Sequence, residues 1–232
     1  MNKTRIALAA VLSGTLLCLL LSAIATRPVA AVDVPALMAD NLARSGVDHP
    51  LTAVLLNFRS LDTLLEIAVL LLAVVVALAL REAQPDQPDR MGLANPLLRA
   101  VMAWLLPLML LVAGYLLWAG ATRPGGAFQA GAVLAAVGVL LRLAGVRLPG
   151  LSHGLATRML LVSGLAVFLA AGVAALLPGR HFLEYPPEQA GLVILLIECA
   201  LAPAIGLALL SLFKLAPPHP MHGDTRPEAD TP

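Results

Sequence analysis

The chain has 232 residues, 59% of them hydrophobic and only 12% charged, with a formal net charge of +1. Soluble domains carry nearer half apolar and a quarter charged residues, so an ordinary soluble domain is excluded, and the near-zero charge offers nothing to nucleic acid. The apolar residues come in runs of about 20, the length that crosses roughly 30 Å of hydrocarbon, which predicts an all-α integral membrane protein.

About six spans are expected, at 6–25, 50–80, 98–120, 126–145, 155–177 and 189–213. They are separated by residues that a helix in lipid disfavours: Arg27-Pro28, the polar run Arg81 to Asn95, Arg123-Pro124-Gly125-Gly126, Pro149 to His153, and Pro178 to His181. Placing both termini in the cytoplasm puts Lys3, Arg5, Arg81, Arg90, Arg99, Arg142, Arg147, Arg158, Lys214 and Arg226 inside. Arg27, Arg44, Arg123 and Arg180 are then outside, with Arg59 unassigned. That asymmetry obeys the positive-inside rule.

The first span opens with Lys3 and Arg5 and closes on Ala23-Ile24-Ala25, which also suits a signal peptide cleaved after Ala25. Its apolar run is longer than a usual signal core, so an uncleaved helix is favoured.

The second span carries charges. Gly46 to Pro50 suits a helix start, with Pro50 in the first turn. No glycine or proline interrupts the chain from there to Leu80, so one continuous helix of about 46 Å is expected, with Glu66 close to mid-bilayer. Thr52, Arg59 and Glu66 are seven apart, and Asp62 and Thr63 fall between them on the same stripe. Arg59 can pair with Asp62 at i+3, whereas Glu66 has no cation one turn away. A carboxylate at that depth must be neutral, paired with another helix, or facing water. The in-phase placement favours a buried polar seam over a helix end protruding into water.

The third and fourth spans meet at Thr122-Arg123-Pro124-Gly125-Gly126-Ala127-Phe128-Gln129-Ala130-Gly131, whose glycines suit a tight external turn and close helix contact. Pro107 should kink the third span. Glu198, about ten residues into the last span, is an ionisable group near mid-membrane. Two readings stand for it: a functional carboxyl, or a protonated acid bonded to a carbonyl that Pro203 frees at about residue 199. Arg142 lies near a cytoplasmic end and can snorkel. Cys18 and Cys199 fall inside apolar runs with no metal spacing, His153, His181 and Glu184 fall in loops, and the two histidines of the polar tail, His219 and His222, are too few for a metal site. No Ser/His/Asp arrangement is present, so no enzymatic activity, metal or cofactor is expected.

The turn resembles the signature of the B subunit of Mrp-type (multiple resistance and pH) sodium/proton antiporters, which typically reads Pro-Gly-Gly-Gly-Phe-Gln-Gly-Gly. Pro124, Gly125, Gly126, Phe128, Gln129 and Gly131 match it, while Ala127 and Ala130 stand where the family has glycine. The stretch Thr52 to Glu66 is similar to the C-terminal end of the large A subunit of the same complexes, and to the E subunit of related membrane-bound hydrogenases. Phe58, Arg59, Asp62, Thr63 and Glu66 carry that likeness; Asn57 replaces a family Asp, and Ser60 and Leu65 replace glycines. The resemblance divides the chain into a two-helix segment at 1–82, a cytoplasmic linker at 83–97, a four-helix B-like domain at 98–214 and a disordered tail at 215–232.

The resemblance implies a membrane subunit of a multisubunit sodium/proton antiporter complex in a bacterial or archaeal cell membrane. Its partners would be the other subunits and the bilayer, and it would move or guide Na+ and H+. Arg59, Asp62, Thr63, Glu66 and Glu198 would form an ion pathway or an intersubunit polar seam. The alternatives are a membrane-arm subunit of a redox-driven ion pump, a membrane-bound hydrogenase or a complex I-like enzyme, and a purely structural scaffold.

Overall fold

Leucine, valine and alanine runs hydrogen-bond their backbones internally, and proline, glycine and arginine mark where they stop. A computed structural model describes residues 3–26, 33–82, 96–144, 146 and 154–215, and its regular elements are all helical. They are α1 (Lys3–Ala25), α2 (Val34–Ser45), α3 (Pro50–Ala53) with a π-helical stretch at Val54–Phe58, α4 (Ser60–Glu82), α5 (Pro96–Ala119), α6 (Ala127–Leu143), α7 (Leu155–Leu176) and α8 (Pro187–Leu215). Five contain runs long and apolar enough to cross a membrane: Ala7–Ala25, Ser60–Leu80, Ala100–Ala119, Leu155–Leu176 and Pro187–Phe213. α6 is as apolar but shorter, about 26 Å at 1.5 Å per residue. The chain is therefore an all-α, multi-pass membrane protein.

Residues Met1–Leu37 form one unit and Met38–Pro232 another. Within the first, α1 turns leucines outward along its length. Its hydroxyls bond back to its own carbonyls, Thr15 to Val11 at 2.9 Å and Ser22 to Leu19 at 2.9 Å, which satisfies them without a partner helix.

In the second unit, α8 is the axis against which α4, α6 and α7 pack, with α5 laid against α6. Ile194, Ile197 and Leu201 of α8 and Phe168 of α7 are almost wholly buried. Gly131 lies so close to α8 that a β-carbon there would sit 2.8 Å from Ile205 Cγ2, and one on Gly206 would sit 2.9 Å from Leu134 Cβ. Small residues let helices in lipid approach to where dispersion binds them. Gly131 faces Ala202 and Ile205, and Gly138 faces Leu210, so α6 and α8 run in the same direction. α4 follows them in step, with Val74 packed with Leu207 and Ala208, and Leu78 and Leu212 laid on that cluster.

Two expectations are corrected. The second span is not one continuous helix. Its first turn passes into a π-helical stretch and breaks at Arg59, whose φ of −126° and ψ of 33° are not helical. No glycine or proline marks this break. The interruption changes the phase of everything after it, so the five-residue stripe does not hold together: Thr52 and Thr63 are buried, whereas Arg59, Asp62 and Glu66 are exposed on the chain's own surface. The amphipathic α2 lies between the first two expected spans, and its length of 12 residues fits no span. Most of the linker at 83–97, nearly all of the tail at 215–232, and His153, His219 and His222 lie outside the described residues.

Candidate functional site

The site is built around the turn between α5 and α6. Arg123 N–H donates to Ala119 O at 2.7 Å, and Gly126 N–H reaches back to Leu116 O at 2.8 Å, folding Thr122 to Gly125 onto the end of α5. Gly126 then opens α6 with φ 105° and ψ −171°, a conformation essentially confined to glycine. Ala127 and Ala130 follow inside the helix and are buried, so the two family glycines they replace are not needed for backbone freedom.

A helix begins with N–H groups that have no partner within it and with a partial positive charge. Glu198 meets this need from another helix. Its Oε1 accepts from Ala127 N–H at 3.2 Å, and a β-carbon on Gly126 would collide with the same oxygen. Glu198 is 5% exposed. Both readings of Glu198 are compatible with this contact, in which Oε1 accepts from the amide at the start of α6. A carboxyl held there, away from lipid, can gain or lose a proton.

Because α6 and α8 run in step, the turn lies level with Glu198, about 16 Å along α8 from its start at 1.5 Å per residue. The tip of the turn, Thr122 to Pro124, is exposed, whereas Gly126 and Ala127 are buried. The segment from Ser45 to Phe58 packs on its base. His49 N–H donates to Ala121 O at 3.2 Å, and the Thr52 hydroxyl donates to Gly120 O. Gly46 packs against the Pro187 backbone. The segment is fastened in turn by Asn57, whose Nδ2 donates to Ser45 O at 2.7 Å. The aspartate that the resemblance expects there could not donate that bond when ionised.

The helix break is closed by one backbone and two side-chain hydrogen bonds. Arg59 N–H donates to Val54 O at 2.8 Å, the Thr63 hydroxyl to Leu55 O at 2.6 Å, and Ser60 Oγ to Asn57 O at 3.1 Å. Thr63 thus serves the backbone. Arg59 and Asp62 form the expected i,i+3 ion pair, with side chains 70% and 54% exposed. Of the anticipated seam, only Glu198 reaches the turn; Arg59, Asp62 and Glu66 face outward.

The sequence does not announce the roles of three residues. Thr52 was grouped with the charges of its own helix rather than with the turn. His49 Nδ1 and the Tyr185 hydroxyl are buried without a hydrogen-bond partner among the described residues. Burial pushes the Tyr185 hydroxyl well above its usual range. No group of three or more His, Cys, Asp or Glu that could hold a metal occurs among the described residues. Phe128 is half-buried and Gln129 exposed in the first turn of α6.

Residues 97–215 match the family described as a domain related to the MnhB subunit of Na+/H+ antiporter. No curated protein matches the chain. The fold is similar to a chain of the Mrp complex from Dietzia sp. DQ12-45-1b, with a TM-score of 0.66 and 22% identity, covering 91% of this chain and 26% of that one. It is also similar to a chain of the membrane-bound sulfane sulfur reductase, an archaeal respiratory membrane complex, with a TM-score of 0.69 and 21% identity, covering 91% of this chain and 97% of that one. The chain thus spans about a quarter of the Mrp chain it matches, and at these identities the likeness is one of fold.

Proposed function

Because the chain belongs to the family of domains related to the MnhB subunit of Na+/H+ antiporters, we propose that it is a membrane subunit of an Mrp-type complex that exchanges sodium, or another monovalent cation, for protons. The complex sits in the cell membrane of a bacterium or archaeon. The chain performs no covalent catalysis and holds no cofactor of its own; it forms or braces part of the ion's route. The segment from Thr52 to Glu66 corresponds in this reading to the end of a larger antiporter subunit.

The observation that carries the reading is Glu198, a buried carboxyl fixed on the opening of α6 by a turn that Gly126 makes possible. A charged carboxyl inside a membrane protein is costly, and ionisable groups there mark ion and proton routes by default. Thr52 and His49 hold the turn from the other side, which couples the two parts of the chain at that carboxyl.

The test is Na+-driven collapse of a preformed proton gradient in everted membrane vesicles. Deleting the chain should abolish the collapse, and restoring it should recover the signal. Full antiport in the deletion strain would overturn the proposal. A second reading, a subunit of a redox-driven ion pump, is favoured by the near-complete cover of the sulfane sulfur reductase chain. Under it, ion movement in the vesicles would require an electron donor.

A further inference from the structure

The outward faces of the spans differ in chemistry. On α5, Leu108, Leu111 and Trp118 point away from the chain, and on α7 Met159, Val162 and Leu169 do so. Lipid tails satisfy both. The outward face of α4 presents Leu61, Leu65, Val69 and Leu72, each more than half exposed, and the same side also bears Asp62 and Glu66.

Arg59 neutralises Asp62. Glu66 is exposed and makes no ion pair or hydrogen bond among the described residues. Arg59 is the partner of Asp62, so no cation among the described residues is paired with Glu66, and an ionised Glu66 leaves one uncompensated negative charge on this face. Glu66 lies about 9 Å along α4 from Ser60, and the span continues for about another 21 Å to Leu80. Both distances keep it inside the hydrocarbon, where a charged side chain faces protein or water rather than lipid tails.

We propose that the outward face of α4 from Leu61 to Leu72 docks a transmembrane helix of a neighbouring subunit that brings one Lys or Arg side chain opposite Glu66. The apolar residues recur at spacings of three and four, which provides the ridge that a second helix packs against. The charge sum decides the chemistry of that helix. A second copy applying the same face would add another negative charge, and lipid would add none. The proposal rests on reading the chain as one subunit of a larger complex, and it adds which face the neighbour covers and what that neighbour carries.

The test uses the tagged full chain in its native membrane. A photo-crosslinking amino acid replaces Leu65 or Val69 on α4, with Leu111 on α5 as the comparison. The α4 positions should join to one apolar helical peptide of another subunit, carrying Lys or Arg within a turn of the joined residue. Glu66→Gln should weaken retention of that subunit about thirtyfold or more, because it leaves a buried cation unpaired. Since Glu66 makes no hydrogen bond or ion pair in its own chain among the described residues, the fold itself should be unchanged, as read by membrane level and thermal midpoint. Glu66→Arg should abolish retention, and exchanging the partner's basic residue for Glu should restore it. Crosslinks to lipid or to a second copy, or unchanged retention in Glu66→Gln, would overturn the docking proposal. Loss of the wider reading looks different: wild-type chain would purify without antiporter-type subunits, while the crosslinks from α4 would still report what covers that face.

Discussion

Gly126→Ala probes the turn on which the site depends. Alanine at φ 105° and ψ −171° occupies a region essentially closed to side chains, a strain on the order of 1–3 kcal/mol. Its β-carbon would also overlap Glu198 Oε1, so the carboxyl must leave Ala127 N–H or the turn must open. Losing that hydrogen bond adds about 1–2 kcal/mol, for a total on the order of 2–5 kcal/mol. Gly114→Ala is the control. Gly114 lies within α5, no atom would come within 4 Å of the new carbon, and alanine in a helix is favoured by about 0.5–1 kcal/mol. Thermal inactivation of the detergent-solubilised complex should show Gly126→Ala lowered by on the order of 10 °C, with Gly114→Ala unchanged or raised. Equal midpoints for the two variants would refute the account of the turn.

Thr52→Val keeps the shape of the side chain but leaves Gly120 O without its donor, and should cost about 1–3 kcal/mol in the same assay, whereas Thr52→Ser should stay near wild type. Gly131→Leu drives a side chain into Ile205 and the Ala202 carbonyl, so folded protein in membranes should fall steeply. Reporter fusions at Pro88 and at the C-terminus should both read cytoplasmic, and one at Val34 should read outside, as the distribution of Lys and Arg requires.

The positions of the long helices were legible because in lipid the backbone must bond to itself, so apolar length and the polar breaks between runs fix each span. The turn was legible for a local reason: Pro124 fixes its own φ, and Gly125 and Gly126 permit backbone angles closed to other residues. The break at Arg59 was not, because Asn57, Arg59 and Ser60 are no stronger helix breakers than many residues within helices, and what holds the break is the reach of Thr63 to Leu55 O. Reading a regular 3.6-residue period through it joined Thr52 to Glu66, when Thr52 serves a carbonyl 68 positions away. Glu198 was legible as a buried ionisable group. Its partner at Ala127, 71 positions distant, depended on α6 and α8 running in step, which small residues permit but no local pattern announces.

The central claim is that Glu198, seated on the turn, serves ion exchange by a multisubunit membrane complex. Glu198→Gln tests it, since glutamine keeps the oxygen that accepts from Ala127 N–H and removes the group that gains and loses a proton. Two quantities should be measured on one preparation: the subunits retained by the tagged chain, and Na+-driven collapse of the proton gradient in everted vesicles. The account predicts a complete complex in which the collapse falls at least tenfold. A complete complex with wild-type antiport would contradict it and would leave Glu198 as the cap of α6 alone.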